Sequence, residues 1–191
     1  PRELIARVLT SKEKKTTFTA VVMLCNASWL QPLLPQILIA NEKTVRARDL
    51  VRLQSDIPDN VHLWRQQTAW INGEVFERVI GLLGGVVKSK CPRARAILLM
   101  DTCPVHCLAR VLQACLRNRL RTVFVPALCT SLLQPLDTDV FALFKRQVRQ
   151  SLACIVSSSP EAKDRLEMVL MAVVVAIKTI LQGRQWGKAF D

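Results

Sequence analysis

The chain has 191 residues, half of them hydrophobic and 22% charged, a composition that suits a globular domain with a substantial core and excludes a disordered segment. Lysine and arginine number 27 against 15 acidic residues, a net charge of +12, so an anionic partner is expected, nucleic acid before a membrane surface. The most apolar stretch, residues 168–177, is ten residues long; a helix needs about twenty to cross a bilayer, so no membrane span is predicted.

In chain order, residues 1–15 are polar and basic and read as irregular. Residues 16–25 are rich in β-branched side chains and read as a strand. After a turn at Asn26-Ala27-Ser28, residues 33–40 read as the returning strand, with Pro32 and Pro35 marking either an edge position or its beginning. Residues 41–60 are charged and without a clear period, a loop with room for one short helix. Asn72 suits the N-cap of a helix running to about Val87, with Val75, Phe76, Val79, Ile80, Leu82 and Leu83 on its apolar face. Gly81, Gly84 and Gly85 weaken the end of that helix. Trp70, beside this helix and outside any aromatic-basic cluster, is expected in the core rather than as a base-stacking platform.

Ala96-Ile97-Leu98-Leu99-Met100 is a continuous apolar run ending in Asp101, the pattern of a strand buried on both faces. Such a strand places Asp101 at its carboxyl end, where open α/β sheets bind ligands. A carboxylate that close to a dry core is costly without a compensating cation or donor. Residues 105–118 read as a helix, with Leu108, Val111, Leu112 and Cys115 on one face and Arg110 and Arg117 away from it. Residues 121–125 form the next strand, and a strand, crossover helix and strand in that order imply parallel pairing. A third helix begins near Asp137, which stands where an N-cap belongs. Phe141, Phe144, Val148 and Leu152 recur there at helical spacing, with Lys145, Arg146 and Arg149 on the opposite side. Ser157-Ser158-Ser159-Pro160 is a linker or helix break, and residues 161–182 form a last, strongly apolar helix that must pack against something.

Between Lys88 and Leu136 the sequence carries eight basic residues and one acidic residue, Asp101, a field that draws phosphates toward it. The seven cysteines are odd in number and irregular in spacing, the usage of reduced thiols, several of them buried as small apolar side chains. A zinc site built from Cys103, His106, Cys107 and Cys115 is disfavoured. Its C-x2-H-C-x7-C spacing matches no common finger, and adjacent residues 106 and 107 point in different directions.

Two boxes carry a family resemblance. Asp101-Thr102-Cys103-Pro104-Val105-His106 resembles the D-N-x-P-x-H box of DDE superfamily transposases and endonucleases, in their pogo, Tigger and jerky branch. Val125-Pro126-Ala127-Leu128-Cys129-Thr130-Ser131-Leu132-Leu133-Gln134-Pro135-Leu136-Asp137 resembles that branch's L-P-P-N-T-T-S-L-L-Q-P-L-D box. The 35 residues between the two aspartates agree with the family's mid-thirties spacing. Upstream, Lys14-Lys15-Thr16-Thr17, Leu24-Cys25-Asn26-Ala27 and Leu34-Pro35-Gln36-Ile37-Leu38-Ile39 resemble its K-E-R-x-T-V-x-L-C-x-N-A and L-P-x-L-V-I runs. Ala69-Trp70 with Phe76 resembles its A-W-M-x-x-x-x-F box.

The resemblance implies an α/β fold, a ribonuclease-H-like mixed sheet flanked by helices and lacking its first strand, over residues 1–155, with a helical extension over residues 156–191. It implies that Asp101 and Asp137 are the second and third of three catalytic carboxylates that hold Mg²⁺ or Mn²⁺. Two such ions, about 4 Å apart, serve in-line phosphoryl transfer. It further implies DNA as partner and nuclear residence, and leaves a homo-oligomer open. Read from the residues, His106 is a candidate contact to the site or to phosphate, or a histidine satisfied at a helix start, and the basic face of Lys145, Arg146 and Arg149 suits either a DNA backbone or solvent. The family's first carboxylate lies on a strand upstream of the Pro1 region; Glu3 and Glu13 end no apolar strand and do not take its role. Thr102 replaces the usual Asn, and Thr138-Asp139 the usual Gln-Gly. The expected activity is therefore transposase or endonuclease chemistry, impaired in this chain, and the alternative is a domesticated, non-catalytic nucleic-acid-binding or protein-interaction module.

Overall fold

Two buried glutamines decide where the first strand stops. The computed structural model describes residues 18–158 and 165–190, so the expected irregular start over residues 1–15 and the Ser159-Pro160 half of the expected break lie outside it. Strand β1 (Phe18–Val21) pairs antiparallel with β2 (Gln36–Asn41), from Phe18 opposite Ala40 to Val21 opposite Ile37. The apolar run continues to Cys25, but beyond Val21 side chains replace the ladder. Gln36 accepts from the Met23 N–H at 2.9 Å and donates to the Met23 carbonyl at 3.2 Å. Gln31 accepts from the Cys25 N–H at 2.6 Å and donates to the same Met23 carbonyl at 3.1 Å. Both amides are nearly inaccessible, and each satisfies backbone groups that would otherwise be buried unpaired. Pro32 sits in a 3₁₀ turn (Gln31–Leu33) and Pro35 directly before β2. The prolines thus mark the beginning of a strand that is central, not at an edge.

The other neighbour of β2 is β3 (Val61–Gln66), paired in parallel. The Val61-His62-Leu63 alternation, with Val61 and Leu63 buried, is the period of a half-buried strand. The connection contains α1 (Ala47–Gln54), the short helix expected in the charged stretch. Its last residue, Gln54, donates to the Val61 carbonyl at 2.9 Å and accepts from the Leu63 N–H at 2.8 Å.

Helix α2 (Gly73–Lys90) starts as its N-cap predicts, with the Asn72 side chain accepting from the Val75 N–H at 2.9 Å. It runs through all three glycines. At Gly84 the reason is contact: an added Cβ would lie 2.4 Å from the Asn118 side chain, at the end of helix α3 (Ala109–Arg117). Around α3, strands β4 (Ala96–Asp101) and β5 (Leu120–Val125) pair in parallel, as the strand, helix and strand order requires. A short helix α4 (Thr130–Leu133) and a π-helical turn (Leu136–Val140) lead into α5 (Phe141–Ser158). Helix α6 (Arg165–Ala176) continues as a π-helical segment (Ile177–Gln182). Among the described residues no helix is long and apolar enough to cross a membrane.

Alternation along β2 divides the core into two layers. Leu38 and Ala40 join Phe144, Val148, Leu170 and Ile177 from the C-terminal helices. Ile37 and Ile39 join Val75, Val79, Ile80, Val111 and Cys115 from α2 and α3. The result is a mixed α/β fold with strands between two helical layers, as expected. The strands nevertheless fall into two sheets, β1-β2-β3 and β4-β5.

The second sheet corrects the expectation that the run ending in Asp101 is buried on both faces. Met100 is buried and Ala96 and Leu98 pack against the α2 and α3 layer, but Ile97, on the other face, is 68% exposed. Among the described residues, β1 pairs only with β2 and β4 only with β5. Their unpaired edges face each other across two cavities. One, of about 190 Å³, is lined by residues 19–23 and 98–101, and the other, of about 590 Å³, by residues 22–26 and 95–99. The end of β1 therefore lies opposite the start of β4, so the two edges run in opposite directions.

Candidate active site

Asp101 is the last residue of β4, at the carboxyl end of a parallel pair where the chain leaves the sheet. The turn that follows folds back on it. Its carboxylate Oδ1 accepts the Cys103 N–H at 3.2 Å and lies 2.6 Å from His106 Nδ1, and the His106 N–H donates to the Cys103 carbonyl at 2.9 Å. The His106 ring rests on Phe76 of α2, centroids 4.5 Å apart. Asp101 and His106 side chains are only 16% and 19% exposed. Strand end, turn and helix together fix the direction of one carboxylate.

Cys103 completes the cluster. One donor atom each from Asp101, Cys103 and His106 lie within 4.8 Å of one another. The cysteine set considered from spacing divides otherwise: Cys107 is exposed and Cys115 is buried in the α3 core layer. A turn that bends sharply brings residues 103 and 106 back to the strand end and leaves their sequence neighbour outside. The burial of Cys115 raises its thiol pKa above the ordinary value, mainly by desolvation, which keeps it an inert core residue.

Asp137 lines the same cavity as Asp101, Cys103 and His106, though it is not among the donor atoms that cluster within 4.8 Å. The N-cap role expected of it is not seen. Pro135 occupies the cap position without a side-chain cap bond, and Asp137 stands in the first turn, its N–H bonded to the Gln134 carbonyl at 2.9 Å. Gln134 lines both cavities, and its Oε1 is buried without a hydrogen-bond partner. Buried acceptors of that kind are uncommon and ask for a donor. Sequence reasoning singled out neither Gln134 nor the grouping of Cys103 with Asp101 and His106; all four residues lie inside the two boxes, which was the available signal.

Among the described residues, the basic side chains named above separate into those paired with a carboxylate and those that are not. Arg110 and Arg117 both bond the Glu77 carboxylate, at 2.8 and 2.7 Å. The Arg110 hydrogen bond, more than the Arg117 one, holds the Glu77 carboxyl below the usual range. Arg146 and Arg149 are exposed on α5, while Lys145 is half-buried with its Nζ 5.9 Å from the centre of the Phe141 ring. His106 is turned inward onto Asp101. Trp70, expected in the core, is 54% exposed, whereas its neighbour Ala69 is buried at φ 60°.

The profile of the family described as "DDE superfamily endonuclease" matches residues 16–187. No curated protein matches significantly. Among solved structures, the chain is similar to the Mos1 transposase in its paired-end complex with the left transposon end, at a TM-score of 0.49 and 15% identity. That similarity covers 100% of this chain and 47% of the transposase chain, so the sequence spans about half of that protein's length.

Proposed function

The chain belongs to the DDE superfamily endonucleases, and from that premise we propose that it is a transposase-type domain that acts on DNA by metal-dependent phosphodiester hydrolysis and strand transfer. The observation that carries this reading is that Asp101 and Asp137, separated by 35 residues in the sequence, line one cavity at the carboxyl end of β4. Carboxylate oxygens are the donors that hard divalent ions take, and Mg²⁺ or Mn²⁺ held there would supply Lewis acidity to a phosphoryl group and an activated water. The residues themselves have three tasks. Asp101 and Asp137 hold the ion, His106 fixes the Asp101 carboxylate by their hydrogen bond, and Lys145, Arg146 and Arg149 on α5 track the phosphate backbone. Work on chromosomal DNA implies nuclear residence.

Two carboxylates are fewer than the three that family members use, so cleavage by this chain alone is impaired. The facing edges of β1 and β4 support a location for the third. A single strand lying between them would run antiparallel to one edge and parallel to the other, and would end beside Asp101. The test is a nicking assay with Mg²⁺ or Mn²⁺ on the complete open reading frame. Asp101→Ala and Asp137→Ala are each expected to abolish cleavage; cleavage that survives Asp101→Ala removes the assignment.

The second reading is a domesticated, non-catalytic nucleic-acid-binding or protein-interaction module. It is favoured by Thr102 where the family has Asn and by Thr138-Asp139 where it has Gln-Gly. Salt-sensitive DNA binding without a metal requirement, in the complete protein and with no nicking, would select it.

A further inference from the structure

We propose that Asp101, Cys103 and His106 form a binding site for a borderline-soft divalent cation, zinc foremost, whose chemistry differs from that of a magnesium site. Three unlike donors, a carboxylate oxygen, a thiol sulfur and an imidazole nitrogen, come from one six-residue turn and lie within 4.8 Å of one another. A tetrahedral zinc ion with bonds of about 2.0–2.3 Å spaces its ligand atoms about 3.3–3.8 Å apart. Closing the cluster onto an ion therefore needs side-chain movements of about an ångström, within the range of torsional adjustment.

The surrounding structure already orients these donors. The Cys103 N–H holds Asp101 Oδ1, the Cys103 carbonyl holds the His106 N–H, and Phe76 supports the imidazole ring. Such outer contacts fix ligand orientation in metal sites and tune affinity. The sulfur and nitrogen donors set the preference, since thiolate and imidazole suit zinc and cobalt whereas magnesium takes oxygen. All three residues line the cavity shared with Gln134. That leaves a further coordination position open to water.

The protons balance simply. In the neutral tautomer that donates from Nδ1 to Asp101 Oδ1, that proton moves to Nε2, which frees Nδ1 as a ligand. Cys103 gives its proton to solvent as the thiolate forms, so one proton is released per ion bound by a neutral imidazole. Because Asp101 is common to both, a bound zinc ion competes with the magnesium centre proposed above. The site does not depend on that proposal, and its test uses no DNA.

The experiment titrates the full chain, under reducing conditions, with Co²⁺ and follows thiolate-to-cobalt charge-transfer absorption in the near ultraviolet. One equivalent of Co²⁺ is expected to saturate the band, an equivalent of Zn²⁺ to displace it, and excess Mg²⁺ to leave it. Cys103→Ser removes the band, His106→Gln weakens binding by about tenfold or more, and Cys107→Ser changes neither. Far-ultraviolet circular dichroism checks each variant, and should Cys103→Ser fail to fold, the His106→Gln titration decides. No band in the folded wild type, a band that persists in Cys103→Ser, or unchanged affinity in His106→Gln overturns the site. Any of these results would leave magnesium-dependent nicking untouched, so the two proposals fail separately.

Discussion

Strands β2 and β4 are written in nearly the same alphabet and live in different surroundings. β2 is Gln-Ile-Leu-Ile-Ala-Asn and β4 is Ala-Ile-Leu-Leu-Met-Asp. β2 has a strand on each side and a helical layer on each face, and its Ile37, Leu38, Ile39 and Ala40 are at most 1% exposed. β4 has one strand partner and one covered face, and its Ile97 is 68% exposed. An apolar run records the environment a strand is suited to, and β4 is suited to more cover than the described residues give it.

The sharpest way to break this comparison is to make one substitution in both halves. Ile39→Ala removes a fully enclosed side chain and is expected to cost about 2–5 kcal/mol, whereas Ile97→Ala should stay within about 0.5 kcal/mol. Urea unfolding of the two variants measures the difference, and equal losses would mean that β4 is enclosed in solution. A smaller effect is expected where glutamine replaces ladder. Gln36→Leu keeps bulk but leaves the Met23 N–H without its acceptor, at a cost of about 1–3 kcal/mol, read from the same unfolding curves.

The smallest effect concerns pH. Burial lowers the His62 pKa in β3 below its ordinary value, so below that ordinary value the unfolded chain binds more protons than the folded one. Stability is then fully present above about pH 6.5 and declines as the pH falls toward the depressed folded value. Thermal unfolding between pH 7.5 and 5.5 should show this slope in the wild type and a flatter one in His62→Gln. An unchanged slope would assign the titration elsewhere.

Local pattern carried much of this fold. The Asn72 cap, the α2 face and the β4, α3, β5 order all rest on neighbours within one turn or one crossover. The failures came from distance. Nothing in residues 16–25 announces that Gln31 and Gln36 will take over the backbone of Met23 and Cys25. The β3 alternation follows a charged stretch and lies outside the paired apolar runs that were easiest to read. At the site, the resemblance of the two boxes pointed to Asp101 and Asp137, which line one cavity, but three-dimensional closure was needed to group Cys103 and His106 around Asp101. The same closure turned Arg110 and Arg117, counted at first among phosphate attractors, toward Glu77.

Among the described residues, the facing margins of β1 and β4 carry no paired strand, and this bears on how the polypeptide behaves in a test tube. A row of free amide and carbonyl groups beside apolar side chains is a template for sticking to other chains. Neither margin carries a proline within its strand, and the only charge within either is Asp101 at the far end of β4. Wherever these margins stay uncovered, aggregation along them at high concentration is the expected outcome, and filling the groove between them is the remedy the architecture suggests.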